Sequence, residues 1–175
     1  MTYRGPSAVH QIISDAGGRI VGRTRLQKCT CGLELTGLGY GFQFSYRHFG
    51  PYSEELQIAC SDADALGLIE EQRKTATWGG RYSVFVANES DARRKDDDLQ
   101  AVRTDLLRVM TAADPVALEL AVTAAFLAAD DVAEPWREVA ERKQDKASPK
   151  AMEAAKGLYR EMMAVPTPIP LPAIV

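Results

Sequence analysis

Apolar residues recur every three or four positions along most of the chain, and every second position in one segment, Tyr40–Tyr46. A spacing of three or four predicts helices and a spacing of two predicts a strand. Ser7–Ala16 reads as a first helix with Ala8, Ile12 and Ile13 on one face, closed by Gly17-Gly18. A brief apolar piece, Ile20-Val21, precedes a second helix, Thr24–Leu35, with Leu26, Cys29, Thr30 and Leu33 on one side. Tyr40, Phe42, Phe44 and Tyr46 then alternate with small or polar residues, as in a strand with one aromatic face. Gly50-Pro51 predicts a turn, because Pro51 fixes its own φ and disfavours the helical region for Gly50. Ser53 is a good N-cap for a third helix, Ser53–Leu66, with Glu54 and Glu55 where the helix dipole favours negative charge. Leu68–Gln72 and Arg81–Val86 read as two short strands joined through Trp78-Gly79-Gly80.

The second half is helical throughout. Leu99–Thr111 carries Val102, Leu106 and Val109-Met110 on one face. Pro115–Ala129 follows Asp114 as N-cap and is nearly all apolar, with Glu119 as its one charge, so it is expected to be the buried centre of this half. Pro135–Lys146, with Trp136, Val139 and Ala140 inward, and a last helix from Ser148-Pro149 through Met162-Met163 complete it. Prolines at 166, 168, 170 and 172 predict an extended tail that docks on a partner, docks on a second copy, or is disordered.

These elements predict an α+β protein, mainly α. Residues 1–88 form a winged helix-turn-helix-like part with a small β-hairpin and an inserted aromatic strand. Residues 89–98 form a charged connector, 99–164 a helical bundle, and 165–175 the proline-rich tail. Three helices followed by a hairpin is the order of a winged helix.

Composition narrows the function classes. The chain of 175 residues has a net charge of −3, so any basic patch must be local. There is no apolar leader segment and no run long enough for a membrane span, which predicts a cytoplasmic protein without membrane contact. Three cysteines, Cys29, Cys31 and Cys60, agree with reduced thiols. With His48 they are the only candidate soft ligands near the aromatic segment. However, Cys29 and Cys31 lie two apart on a helix, about 200° around its axis. Cys29 and Cys31 would point apart, and Cys29 and Cys60 are read as small core residues, with no metal and no cofactor. His48 has no nucleophile motif or paired carboxylate beside it, and a structural role at the Gly-Pro turn is the stronger reading. No catalytic residue is assigned.

Two binding surfaces remain. The segment Tyr46, Arg47, His48, Phe49, Gly50, Pro51 and Tyr52 combines side chains of the kinds enriched at interface centres, and it is the expected partner-binding site. Arg23, Arg25 and Lys28 around the second helix, with Arg73, Lys74 and Arg81 on the hairpin, are the candidate nucleic-acid contacts. The third helix carries Glu54, Glu55, Asp62 and Asp64 and no cation, which opposes base reading in the usual winged-helix pose.

Several blocks resemble the YwgA-like family of uncharacterised bacterial proteins. They are Arg25-Leu26-Gln27-Lys28, Gly39-Tyr40 with Phe42 and Phe44, the run from Phe49 to Leu56, and Gly67-Leu68-Ile69. The stretch from Leu118 to Leu127, Arg142-Lys143, and a helix with Ala155 and Leu158 extend the likeness over residues 8–163. The family is similar in outline to Panacea-type antitoxin domains, which share a Gly-Pro turn before a helix and neutralise toxins by protein contact. The chain departs from the pattern at Cys29-Thr30-Cys31, where larger apolar residues are expected. The resemblance implies a non-enzymatic protein-interaction module, antitoxin-like or an accessory regulator in a bacterial defence or toxin–antitoxin system. A winged-helix DNA-binding regulator is the alternative. The expected partner is a protein, then DNA, with self-association through the tail as a further option.

Overall fold

The computed structural model describes residues 5–48, 50–89 and 97–175. The chain is α+β and mainly helical, with a small antiparallel sheet. The elements are α1 (Gly5–Asp15), β1 (Arg19–Val21), α2 (Arg23–Leu35), β2 (Ser45–Arg47), β3 (Gly50–Tyr52), α3 (Glu54–Ala65), β4 (Ile69–Thr75), β5 (Arg81–Ala87), α4 (Gln100–Ala112), α5 (Pro115–Ala129), α6 (Pro135–Arg142) and α7 (Pro149–Met163). Among the described residues no helix is long and apolar enough to cross a membrane.

Two expected N-caps, Ser53 and Asp114, are in place, Ser148 caps the last helix, and Ser7, expected to cap the first, lies inside α1. The side chains of Ser53, Asp114 and Ser148 accept from backbone N–H groups of the first turns of α3, α5 and α7. Each satisfies donors that the helix itself leaves unpaired. Ile20-Val21 is more than an apolar fragment. It lies in β1, antiparallel to β5, and the sheet runs β1-β5-β4 with Ile20 opposite Phe85 and Arg73 opposite Ser83.

The Gly-Pro expectation is corrected. Gly50-Pro51 is not the turn but the start of β3, which pairs back on β2 with Arg47 opposite Gly50 and Ser45 opposite Tyr52. The paired part of β2 ends at Arg47, and Phe49 lies outside the described residues. Gly50 has φ 86°, and a Cβ there would also lie 2.7 Å from Thr123 Oγ1 of α5, so two separate demands favour glycine. The aromatic strand is also shorter than expected. Only Ser45–Arg47 is paired, while the chain around residues 40–42 is held by Glu34, whose carboxylate accepts from Tyr40 N, Gly41 N and Phe42 N. The alternation survives without the ladder. Phe42 is buried and Tyr40, Phe44 and Tyr46 pack on the core, with Gly41, Gln43, Ser45 and Arg47 outward. The α6 helix ends at Arg142 rather than Lys146, and most of the expected connector, residues 90–96, lies outside the described residues.

One hydrophobic core runs through both halves of the chain, from Ile12, Leu26 and Leu56 to Leu107, Leu120 and Met162. Two helices are buried on all sides. The apolar α5 was expected there; α2 was not. Eight successive residues of α2, Leu26–Leu33, are buried between α5, α4 and β3. Small side chains make this crossing feasible, since a Cβ on Gly32 would lie 2.6 Å from Met110 Sδ. Cys29, Thr30 and Cys31 are all buried in this crossing. The proline-rich segment docks on its own chain. Ile169 N donates to Thr36 O at 3.0 Å, Tyr159 Oη donates to Pro172 O, and Leu171 is buried.

Candidate nucleic-acid interface

Where β1 ends, Gly22 turns the chain into α2 with φ 97°, and no side chain caps the new helix. The first N–H groups of α2 therefore carry the positive end of the helix dipole without a capping acceptor. They open onto a groove of about 750 Å³ between α2 and the β4–β5 hairpin. Residues from both faces of the hairpin ribbon line it. Arg73 pairs with Ser83 and Thr75 with Arg81, so these four share one face of the ribbon. Arg23, Arg25, Arg73, Lys74, Arg81 and Tyr82 all line the groove, and none of its lining residues is acidic. Trp78, at the hairpin tip, is 82% exposed.

The cations differ in how far they are committed. Arg25 donates to Thr111 O and Ala113 O, both at 2.9 Å, so it closes the C-terminal end of α4 and sets the floor of the groove. Arg23 reaches Glu71 Oε1 at 2.6 Å from an exposed position. Ser83 Oγ donates to the same oxygen, and although burial works against it, these bonds hold the Glu71 carboxyl below its ordinary value. Arg73, Lys74 and Arg81 are exposed and form no salt bridge among the described residues.

Lys28 does not join them. It is 2% exposed and its Nζ donates to Pro51 O at 2.8 Å. It belongs to a buried polar cluster that the sequence did not announce. Glu119 on α5 takes Lys143 Nζ at 2.6 Å and Lys146 Nζ at 2.8 Å. Burial opposes the charge on Glu119, but the two ammonium groups hold its carboxyl below the usual range. Burial, with Lys143 and Lys146 adding to it, pushes the Lys28 amine down to about 8, against the pull of Glu119. The only sequence signal for this cluster is one carboxylate in an otherwise apolar helix. Its lysines lie 24 and 27 residues further on.

The expected partner-binding segment is split by the hairpin. Gly50 and Pro51 are buried, and Tyr46 is half-buried with the Arg142 guanidinium 4.6 Å above its ring. Arg47 and His48 are exposed, with Arg47 paired to Glu54 at 2.8 Å. Tyr52 is half-buried, and its hydroxyl donates to Gln57. On α3, Glu54, Glu55, Asp62 and Asp64 span the helix beside Ile58 and Leu66, and all but the helix's inner apolar face is open to solvent. Cys29, Cys31 and Cys60 are buried thiols pushed up to about 12 by burial, and no group of three or more metal-ligating side chains occurs among the described residues. No family model matches the chain and no curated protein is significantly similar to it, so the groove is read on its own geometry.

Proposed function

We propose that the protein binds the sugar-phosphate backbone of a nucleic acid in the groove between the start of α2 and the β4–β5 hairpin. One observation carries this reading: five cations converge there, and no carboxylate lines the groove. Neutralising phosphates releases counterions, and an uncapped helix N-terminus adds N–H donors. Tyr82 and Trp78 offer ring faces on which bases stack. The order α1, β1, α2, α3, β4, β5, with the β2–β3 hairpin inserted between α2 and α3 and with β1 beside β5, supports a winged helix-turn-helix in which the wing is the contact and α3 is not. The helices α4–α7 form a bundle beneath it. The acidic α3 faces a polyanion poorly, which disfavours the usual major-groove pose.

Fluorescence anisotropy with labelled oligonucleotides tests this. Arg73→Ala with Arg81→Ala removes two exposed cations and should leave the fold intact. Binding should weaken, and the slope of log affinity against log salt should fall by about 1.4 to 1.8, since each phosphate left without its cation takes away about 0.7 to 0.9. An unchanged slope rules the groove out.

A second reading has its own observation. Ile58 and Leu66 are 58% and 67% exposed on the acidic face of α3. That face complements a basic, partly apolar protein segment, as an antitoxin-like interaction module would need. Ile58→Lys should abolish such a complex while leaving oligonucleotide binding unchanged.

A further inference from the structure

A second, smaller cavity of about 170 Å³ lies between α2, α3 and the β4–β5 hairpin, and it meets the basic groove at Arg23 and Thr24, which line both. Its walls are mainly apolar, with Leu26 from α2, Leu56 from α3 and Phe85 from β5, while Gln27 and Lys28 of α2 also line it. Its rim is polar and incompletely satisfied. Gln57 accepts the Tyr52 hydroxyl on Oε1, which leaves its amide N–H groups to donate. The bonds that Glu71 accepts from Arg23 and Ser83 fall on Oε1, which leaves Oε2 to accept. Ser61 is exposed at the edge.

We infer that this cavity receives one unstacked pyrimidine base, so the protein's ligand is a single-stranded nucleic acid. This inference rests on the reading of the adjoining groove as the phosphate channel. A cavity of about 150 Å³ holds a benzene ring, so a single six-membered ring fits this space and a fused bicycle crowds it. Apolar walls suit the two faces of the ring. A rim with one donor and one acceptor suits its edge, because pyrimidines present an N–H beside an acceptor (N3 in cytosine, a carbonyl in uracil or thymine), and a carboxylate is a natural acceptor for the cytosine amino group. Arg23 sits at the junction, where a nucleotide's phosphate and base diverge. Its charge also offsets Glu71, which would otherwise repel the chain. A stacked base in a duplex cannot enter without being extruded, at a cost of unpairing and unstacking. A single strand escapes that cost, and it also avoids the acidic face of α3.

The test uses the full chain and fluorescence anisotropy with three labelled probes of about 12 nucleotides, within the site sizes known for single strands. They are an oligo-pyrimidine, an abasic strand of equal length, and the oligo-pyrimidine in duplex form. The oligo-pyrimidine should bind about tenfold tighter than the abasic strand, in line with one stacked base. Ser61→Phe, at an exposed position, should fill the cavity and reduce the oligo-pyrimidine to the abasic level without changing abasic binding. Equal affinity for base-bearing and abasic strands, or tighter binding of the duplex, overturns the base pocket while leaving the groove reading standing. Failure of all three probes to bind at low salt overturns both.

Discussion

Gln27 and Ser53 exchange two buried hydrogen bonds across the α2–α3 interface. Gln27 Nε2 donates to Ser53 O and Ser53 N donates to Gln27 Oε1, each at 2.9 Å. The Ser53 side chain accepts from Leu56 N, so one amide on α2 fixes the residue that starts α3. Gln27→Ala leaves a buried donor and a buried acceptor unpaired, each worth about 1–3 kcal/mol. The expected loss is about 3 kcal/mol by denaturant unfolding, with Gln27→Glu intermediate because it keeps the acceptor. A loss under about 1 kcal/mol would show that the α2–α3 register is held elsewhere.

Thr30 should be improvable. Its hydroxyl is buried in α2 with no hydrogen-bond partner among the described residues. Thr30→Val keeps the shape and removes the desolvated hydroxyl, so it should raise stability by about 1 kcal/mol. A fall in the denaturation midpoint refutes this.

Gly50→Val should destabilise by about 3 kcal/mol. The residue has a left-handed φ of 86°, and its Cβ would lie 2.7 Å from Thr123 Oγ1. Strain and crowding are separable, at about 1–3 kcal/mol each. Adding Thr123→Ala should recover part of the loss, about 1 kcal/mol, in a double-mutant cycle. Strict additivity would place the whole cost in the backbone.

Lys28 gives a pH signature. Its amine is near 8 in the folded chain, lowered from 10.5, with Lys143 and Lys146 facing it and Glu119 and Cys31 pulling the other way. Below 8 both folded and unfolded chains carry the charge, and the folded state bears the cost of burying it. Between 8 and 10.5 the unfolded chain binds more protons, so this group's contribution to stability rises with pH. The stability gap between wild type and Lys28→Met should therefore shift by up to about 3 kcal/mol in favour of wild type from about pH 7 to about pH 10.5. A gap independent of pH disproves the shifted amine.

Elements with local causes are legible in the sequence. Ser53, Asp114 and Ser148 cap the helices that their neighbours predict, and the inward alternation of Tyr40, Phe42, Phe44 and Tyr46 holds. Gly50-Pro51 misleads because a turn and a strand start under a crowded helix both favour the pair; only Thr123, 73 residues away, separates them. Lys28 groups with the surface cations in sequence because a lysine there carries no mark of what lies above it. Its carbonyl partner at Pro51 comes from the same misleading segment. Arg73 and Arg81 are legible as wing cations, and the strand register places them on one face of the ribbon.

The helix α5 packs against α2, α6, α7 and β3 at once, and so belongs to both halves of the chain. Neither half can shed it without exposing apolar surface on every side of the helix. Heat or denaturant should therefore melt residues 5–163 in one cooperative transition. Any strand captured at the hairpin then stabilises the whole unit by mass action. Oligonucleotide binding at the hairpin should raise the melting temperature read from Trp136 of α6, packed 5.6 Å from Tyr159 of α7.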